Sequence, residues 1–337
     1  MVNKNIPVRI AGVGYCVPDT VITNDDLTKL YETSDEWIYT RTGIKERRVV
    51  AGNETAIDLG LVAAQNAIAK SGIDVQDIDC IIGAASAPPK LYPPLSATIG
   101  AKLGIKEHIP AFDMTAACTG LIYAMQVARG FIHSGIYKNI LIIAADNNSK
   151  ITDWTDRSTS ILFGDGAGAL VMTVAEDGVD DILSLKISAN GAIGHYIETG
   201  VPSQCCPLVK QADEVASGKI LMNGKEVYKF AVTTVPKYVE ECIALSGLTA
   251  EQIDYLIPHQ ANQRIIEAIQ KRLKYSDEKV ISNIRYYGNT SAASIPIALV
   301  EGVEKGKIKL NSTAVLCGFG AGMTWGGAVI RLRDGIC

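Results

Sequence analysis

The chain has no apolar stretch long enough to cross a membrane and no long run of charges of one sign. The chain has 32 basic and 36 acidic residues, and the resulting net charge of −4 disfavours a nucleic acid as the main ligand. Residues 1–12 contain no apolar core of a signal peptide. We therefore expect a cytoplasmic protein that binds neither membranes nor nucleic acids.

Cys-x-x-Cys pairs are also missing, although the chain has eight cysteines. The cysteines are scattered, and several lie in apolar, strand-like runs, which is typical of reduced thiols rather than of a disulfide framework or a zinc site. We interpret the neighbouring Cys205 and Cys206 as incidental and reduced. The sequence therefore predicts no metal site.

The 337 residues are 47% hydrophobic and 20% charged, which is typical of a globular protein of two domains or of one large fold built from two halves. Strand-like runs at residues 8–13, 78–84 and 140–145 alternate with helical stretches at residues 56–71 and after Cys118. Such alternation predicts an α/β fold whose apolar strands are buried on both faces.

Three short patterns occur twice, in the same order. Ser71-Gly72 before an apolar strand is matched by Ser246-Gly247, and residues 166–168 are matched by residues 320–322. The glycines at residues 130–135 are matched by those at 302–306, and sliding the halves on this last match places Cys118 opposite Asn289. The repeats predict duplication of one α/β unit, with halves at residues 1–174 and 175–337 and a site between them.

Cys118 lies where a strand gives way to a helix. The start of a helix has unpaired N–H groups and a partial positive charge, which favour a thiolate. The small neighbours Ala116, Ala117 and Gly120 leave room for a substrate. The alternative is that Cys118 is a buried small hydrophobic residue, as most free cysteines are.

His259 and Asn289 are also placed at element boundaries. His259, one of four histidines, ends an apolar strand, where ligands collect in α/β sheets, and Asn289 lies in a Gly-Asn turn before a small-residue helix. Each has a structural alternative, a buried histidine without a ligand or a helix N-cap. Together with Cys118, they form the pattern of a nucleophile with two hydrogen-bond donors.

Two glycine-rich turns and two groups of cations have less specific interpretations. Residues 164–169 lack the Lys-Ser/Thr of a phosphate loop and precede a strand, so a tight turn is favoured, while the turn at 318–322 could contribute N–H groups to an oxyanion hole. Arg264, Lys271 and Arg272 share one helix face, either solvated or a dock for an anionic partner. A further set could flank an aromatic, phosphorylated ligand: Trp37, Arg41 and Arg157.

Seven motifs together resemble β-ketoacyl-[acyl carrier protein] synthase III, the initiating condensing enzymes of type II fatty-acid synthesis in the thiolase superfamily. The similarity runs nearly from end to end of the chain. The motifs that carry it are residues 33–44, 116–120, 152–157, 163–169, 258–262, 288–294 and 318–326.

The resemblance implies a five-layered αβαβα fold built from two duplicated halves, and a homodimer. It implies that Cys118 is the acylated nucleophile, that His259 and Asn289 are the donors of a decarboxylation site, and that backbone N–H groups of Cys118 and Ala321 form the oxyanion hole. It assigns coenzyme A or pantetheine contacts to Thr33, Trp37, Arg41, Arg157, Gly224, Ala231, Asn262 and Gly320. It assigns acyl carrier protein docking to Arg264, Lys271 and Arg272, and the acyl pocket to Phe319 and to Tyr92, which reaches into the partner subunit.

The implied reaction joins an acyl-CoA primer to malonyl-acyl carrier protein, with loss of CO₂ and with no metal or redox cofactor. Asn at position 289 separates the chain from elongating synthases, which have a second histidine there, and from hydroxymethylglutaryl-CoA synthases, which use a glutamate base. We interpret Cys317 as a core residue rather than a thiolase-type second cysteine. Two positions depart from one common form of the family: Lys225 replaces a frequent Asn, and Tyr92-Pro93-Pro94 replaces aromatic-Pro-Ser.

Three other functions fit parts of the pattern. A superfamily acyltransferase would keep Cys118 and usually alter the His/Asn pair, and a relative with an unusual primer would keep all three residues. A non-catalytic scaffold that binds a carrier protein would keep the basic helix face and lose the nucleophile.

Overall fold

A computed structural model describes residues 5–200, 208 and 218–337 of the chain, so Cys205 and Cys206 lie outside the described residues. The strands are β1 (Val8–Cys16), β2 (Val21–Thr23), β3 (Glu46–Arg48), β4 (Cys80–Ala84), β5 (Ala111–Met114), β6 (Ile140–Asp146), β7 (Gly166–Val174), β8 (Ile182–Ala189), β9 (Ile197–Thr199), β10 (Ile220–Met222), β11 (Tyr255–Pro258), β12 (Ser312–Gly320) and β13 (Thr324–Leu332). The helices are α1 (Asn24–Leu27), α2 (Asp35–Thr42), α3 (Ala56–Ser71), α4 (Leu95–Leu103), α5 (Gly120–His133), α6 (Asn148–Ile151), α7 (Arg157–Ser160), α8 (Gly224–Leu245), α9 (Gln263–Leu273), α10 (Ile284–Tyr287) and α11 (Ser294–Glu304). Within these described ranges, no helix is both long and apolar enough to span a bilayer.

Two mixed sheets share one topology over four strands each, and β5, at the edge of the first sheet, has no counterpart among the described strands of the second. The first has the order β1-β7-β6-β4-β5, and the second has the order β8-β13-β12-β11. In the first sheet β4 pairs with β6 in parallel, and β6-β7 and β7-β1 are antiparallel. In the second, β11 pairs with β12 in parallel, and β12-β13 and β13-β8 are antiparallel. The same succession of pairings in both sheets is the result expected from duplication of one unit.

The sheets are separated and covered by helices. Helix α3 packs on the outer face of the first sheet, α5 and α11 lie between the sheets, and α8 packs on the outer face of the second. Residues 294–302 of α11 are buried throughout, because this helix has a sheet on each side. The order helix, sheet, helix, sheet, helix confirms the predicted five-layered αβαβα fold.

The Ser-Gly repeats perform the same structural task in each half. The Oγ of Ser71 donates to the Ile68 carbonyl and accepts the N–H of residue 73, and Ser246 makes the corresponding bonds with residues 243 and 248. The glycines that follow take left-handed φ values of 67° at Gly72 and 76° at Gly247. Both end a long helix and direct the chain into the parallel strand that starts the sheet core.

The prediction that Asn289 occupies the position equivalent to Cys118 in the second half is wrong. The short 3-10 turn Ala117–Thr119 precedes α5, and the corresponding turn Ser291–Ala293 precedes α11. The first residue of each turn has a positive φ, 46° at Ala117 and 54° at Ser291, so Ala292 is the structural counterpart of Cys118. Because α5 has 14 residues and α11 has 11, matching the glycines at the helix ends shifts the comparison by three residues.

The turn at residues 164–169 is structural, as predicted. Buried Asp165 accepts hydrogen bonds from the backbone N–H groups of Val50 and Ser149 and from the Ser149 hydroxyl. Strand β7 begins directly afterwards at Gly166, so no helix start faces a ligand here.

Candidate active site

One cavity of about 920 Å³ lies between the two halves of the chain. Its volume is in the range of pockets that hold small ligands and cofactors. Cys118, His259 and Asn289 all line it, so the structure brings together the three residues that the sequence suggests as a chemical group. Exposed cationic side chains of Arg41, Lys225 and Arg264 also border the cavity.

Cys118 occupies a tight turn immediately before α5. Ala117 has a positive φ, and the turn that it forms places Cys118 between the end of the first sheet and the start of α5. The backbone of Gly320 is pressed against it, because a Cβ at Gly320 would lie 2.7 Å from the Cys118 backbone nitrogen. Cys118 thus sits at the start of α5, as predicted, with the loop after β12 beside it.

The ionisation of Cys118 differs from the sequence-based expectation. Burial raises the pKa of the Cys118 thiol to about 12, and the negative charge of Asp146 acts in the same direction. Hydrogen bonding to the Ser291 side chain opposes this shift. The resting side chain is therefore a thiol, because the loss of water around a charged sulfur outweighs the favourable start of the helix.

His259 follows β11 and is 3% exposed. Its backbone N–H donates to the Cys317 carbonyl at 2.7 Å, and its imidazole ring packs edge-on against Phe319. Burial lowers the pKa of His259 to about 3, so the imidazole is neutral at physiological pH.

Ser294 is the hydrogen-bond partner of the His259 ring. Ser294 Oγ lies 2.7 Å from His259 Nδ1 and accepts the Gln260 N–H at 3.3 Å. A serine hydroxyl can donate one hydrogen bond and accept two, so this contact fits both neutral tautomers of the imidazole. The tautomer that presents a donor, Nε2–H, to a ligand in the cavity is the one in which Ser294 donates to Nδ1.

Asn289 is held by hydrogen bonds at its backbone and at its side-chain oxygen. Its N–H donates to the Leu162 carbonyl at 2.8 Å, and its own carbonyl accepts the Gly164 N–H at 3.0 Å. Its Oδ1 accepts the Ser291 N–H at 2.9 Å. Because Oδ1 is engaged, the Nδ2 amide is the end that can donate to a ligand.

The predicted oxyanion hole is supported by a threonine that sequence reasoning missed. Cys118 and Ala321 both line the cavity. The Thr324 hydroxyl lies 3.0 Å from the Ala321 carbonyl, 3.2 Å from the Ala116 carbonyl and 2.6 Å from Thr119 Oγ1. It fastens the loop after β12 to the Cys118 turn, and no pattern in the sequence indicated this contact.

At the outer part of the cavity, Trp37 is stacked with two guanidinium groups. Arg41 Cζ lies 4.1 Å and Arg157 Cζ 4.5 Å from the centre of its ring. Arg157 also donates to the Glu32 carbonyl at 2.8 Å. An aromatic base could enter between Trp37 and Arg157 only if Arg157 moved away from the ring.

The remaining predicted contacts divide into two groups. Residues that line the cavity are Trp37, Arg41, Gly224, Asn262, Arg264, Phe319 and Gly320. Residues that do not are Thr33, Tyr92, Arg157, Ala231, Lys271 and Arg272.

Ala231 requires a correction. It is fully buried and packs with Val227 and Val235 on the inner face of α8, so it belongs to the core rather than to the cavity wall. Cys317 is also buried in β12, which confirms that it is a core residue. Tyr92, in contrast, is 81% exposed.

Comparison with known families gives consistent matches. The family model described as 3-Oxoacyl-[acyl-carrier-protein (ACP)] synthase III matches residues 112–191, and the model of the C-terminal part of the same synthase matches residues 243–332. The chain is 44% identical over 331 residues to beta-ketoacyl-[acyl-carrier-protein] synthase III of Nostoc sp., which covers 97% of this chain and 99% of that protein. It is 46% identical over 323 residues to synthase III 1 of Vibrio vulnificus, at 96% and 99% coverage.

Solved structures agree with these matches. The 3-oxoacyl-[acyl-carrier-protein] synthase III of Aquifex aeolicus has a TM-score of 0.88 and 41% identity, covering 96% of this chain and 99% of that one. The priming beta-ketosynthase of the R1128 polyketide pathway has a TM-score of 0.91 and 32% identity, covering 99% and 98%.

Proposed function

The chain belongs to the 3-oxoacyl-[acyl-carrier-protein] synthase III family, and on that basis we propose that it condenses a short acyl-CoA primer with malonyl-acyl carrier protein. The products are a β-ketoacyl-acyl carrier protein, free coenzyme A and CO₂, and the reaction initiates fatty-acid synthesis. The observation that carries the proposal is the meeting of Cys118, His259 and Asn289 in one cavity between the halves.

The first half-reaction transfers the primer to Cys118. The sulfur attacks the thioester carbonyl of acyl-CoA, and coenzyme A leaves. The backbone N–H groups of Cys118 and Ala321 stabilise the oxyanion of the tetrahedral intermediate. The cations Arg41, Lys225 and Arg264 beside the cavity favour the phosphate groups of an acyl-CoA.

The second half-reaction forms the new carbon–carbon bond. Loss of CO₂ from the malonyl thioester leaves an enolate, whose oxygen accepts hydrogen bonds from His259 Nε2–H and the Asn289 amide. Two such neutral donors in a dry site contribute on the order of several kcal/mol of transition-state stabilisation. The carbanion then attacks acyl-Cys118. Because each step is a polar one that these residues can support, we propose that no metal or redox cofactor takes part.

Two surfaces fit protein partners. Arg264, Lys271 and Arg272 are exposed on α9, next to the cavity, and suit an acidic acyl carrier protein. Leu91 and Tyr92 are 73% and 81% exposed, and a second copy of the chain would cover them, with Tyr92 reaching the partner's acyl pocket. The proposal therefore includes a homodimer, and a cytoplasmic location in which its thioester substrates are made.

The test is to incubate the protein with acetyl-CoA and malonyl-acyl carrier protein, and with malonyl-acyl carrier protein alone. We expect CO₂ release and β-ketoacyl product that depend on the primer, with Cys118 acylated in mass spectra. A panel of longer and branched acyl-CoAs identifies the preferred primer. Acylation of Cys118 without loss of CO₂ would instead establish an acyltransferase, and the condensing function would be rejected.

Variants at the two reaction centres separate the half-reactions. Cys118→Ala should abolish condensation and retain some malonyl decarboxylation, because the donors to the enolate remain. His259→Ala should retain acylation of Cys118 and lose decarboxylation.

A further inference from the structure

Three polar side chains lie together at one edge of the first sheet. Strands β6, β4 and β5 are neighbours in that order and run in parallel, so their carboxyl ends meet at the same edge. Asn148 follows β6, Ser86 follows β4 and Thr115 follows β5, and all three line the cavity. Ligands collect at such carboxyl ends in α/β sheets. We call Ser86, Thr115 and Asn148 the polar shelf.

The polar shelf lies beside the reacting groups. Thr115 directly precedes the small residues that lead to Cys118, and Asn148 Nδ2 lies 3.4 Å from the Asn289 carbonyl. The cations that favour the phosphate groups of an acyl-CoA border the cavity from other elements, α2, α8 and α9. A primer with its phosphates at those cations and its thioester at Cys118 therefore presents its acyl chain to the polar shelf.

Asn148 is 3% exposed, and its amide group has a fixed orientation. Its Nδ2 donates to the Gly164 carbonyl at 2.9 Å and to the Asn289 carbonyl at 3.4 Å. Since a carbonyl oxygen can only accept, the NH₂ end of the amide must face these two groups. Oδ1 is the end that remains, and none of the described residues donates to it. It is not fully enclosed by protein either, so it is open to the cavity that Asn148 lines.

The two hydroxyl groups of the polar shelf complement this oxygen. Thr115 Oγ1 donates to the Ala85 carbonyl at 3.3 Å. Ser86 uses its backbone N–H to bind Asp146, while its hydroxyl bonds to none of the described residues. The polar shelf thus offers a ligand one fixed acceptor, Asn148 Oδ1, and one hydroxyl that can donate, that of Ser86.

We propose that the polar shelf selects primers whose acyl chain carries a hydroxyl group. This hydroxyl donates to Asn148 Oδ1 and accepts from the Ser86 hydroxyl, two roles that an alkyl chain cannot fill. The inference rests on the proposed acylation of Cys118 and names the substrate class of that step.

The preference follows from what a plain alkyl primer leaves behind. An alkyl chain against the polar shelf excludes water from Asn148 Oδ1 without replacing its hydrogen bond, and a buried acceptor without a donor is costly. A site that pairs with a substrate hydroxyl therefore rejects the analogue that lacks it far more strongly than an apolar pocket rejects a change of one methylene.

The test compares butanoyl-CoA with 2-hydroxybutanoyl-CoA and 3-hydroxybutanoyl-CoA, each enantiomer separately. Rapid quench and mass spectrometry give the second-order rate constant for acylation of Cys118 by each primer. We expect at least one hydroxylated primer to react at least about tenfold faster than butanoyl-CoA.

Asn148→Leu tests the acceptor directly, because leucine is similar in size and lacks Oδ1. We expect the order to reverse, with butanoyl-CoA the faster primer. The loss of the two Nδ2 hydrogen bonds lowers the rates for all primers alike, so the ratio of the two rate constants is the readout. A merely structural role of Asn148 would leave that ratio unchanged.

Thr199→Val is the matched control. Thr199 lines the same cavity from β9, outside the polar shelf, and valine has nearly the same shape without the hydroxyl. We expect the ratio of rate constants to stay at its wild-type value.

Two outcomes would overturn the inference: rate constants within threefold of butanoyl-CoA for every hydroxylated primer, or a preference that persists in Asn148→Leu. If Asn148→Leu fails to fold, Ser86→Ala decides. It removes the second hydrogen bond of the proposed pair, so a reduced ratio supports the inference and an unchanged ratio refutes it.

Tyr92 of a second copy is the competing donor for Asn148 Oδ1, since the proposed homodimer brings its side chain to the acyl pocket. We expect Tyr92→Phe to keep the preference for a hydroxylated primer. A preference that is absent from the wild type and present in Tyr92→Phe would show that the dimer itself satisfies Oδ1, and the inference would be rejected.

The failure of the proposed function is distinguishable from the failure of this inference. If neither butanoyl-CoA nor any hydroxylated primer acylates Cys118, the function is wrong and the inference falls with it. If butanoyl-CoA acylates Cys118 and no hydroxylated primer is preferred, acyl transfer stands and the role of the polar shelf is rejected.

Discussion

The site residues that could be predicted from the sequence lie at the boundaries of helices, strands and turns. Cys118, His259 and Asn289 were predictable because each lies at the end of a strand or turn that faces a helix start. The role of Ser294 was not predictable, because a serine in a small-residue helix is common and its partner His259 is distant in sequence. The raised pKa of Cys118 was also missed, since burial is a property of the whole fold and not of the helix start.

The role of Ser294 at the residue scale can be tested with Ser294→Ala. Without the Ser294 hydroxyl, His259 loses the partner that favours its Nε2–H tautomer. We expect decarboxylation to fall by about 10- to 100-fold, the loss typical when the partner that orients a metal-bound imidazole is removed. Acylation of Cys118 should change little. The ¹⁵N shifts of the His259 ring report the tautomer directly.

Ser96→Ala is a suitable control for that experiment, because Ser96 is fully buried and its hydroxyl has no partner among the described residues. It should leave decarboxylation and the His259 spectrum unchanged. An unaltered His259 tautomer in Ser294→Ala would show that Ser294 does not set it.

Elements were predictable to the extent that their pattern is local. The predicted helix at residues 56–71 coincides with α3, and the predicted strand at 140–145 forms most of β6. The comparison of the halves failed by three residues because helix length differs between α5 and α11, which the glycine spacing does not reveal.

The contact between the loop after β12 and the Cys118 turn can be tested with Gly320→Ala. A methyl group there would lie 2.7 Å from the Cys118 nitrogen and 3.2 Å from the Ala117 Cβ. Overpacking of this kind costs about 1–3 kcal/mol of stability. It also displaces the oxyanion donors, so we expect acylation of Cys118 to fall about 100-fold or more.

Gly130→Ala, on the helix α5 that follows Cys118, is the control for Gly320→Ala. A Cβ at Gly130 meets no atom within 4 Å, and alanine favours the helix by up to about 1 kcal/mol. It should raise the melting temperature and leave acylation unchanged. Equal acylation rates in the two variants would show that the Gly320 contact is not needed.

At the scale of the molecule, the layered fold was predictable because the repeat and the alternation of strands and helices are properties of the whole sequence. The cavity lies between the halves, where the repeat predicts a site. The order of the strands was not visible, since it depends on pairings between distant segments such as β8 with β13. The same burial that forms this cavity makes the stability of the whole molecule depend on the protonation of one histidine.

Burial lowers the pKa of His259 from 6.5 to about 3, so the unfolded chain binds this proton more tightly than the folded protein. The resulting stability is fully present above pH 6.5 and is lost as the pH falls toward 3, by about 1.4 kcal/mol per pH unit. The free energy of unfolding of the wild type should therefore fall relative to His259→Asn as the pH falls from 7 to 5, as measured by urea denaturation. A constant difference for His259→Asn would mean that His259 titrates normally in the folded protein, and its assignment as a neutral donor would then be wrong.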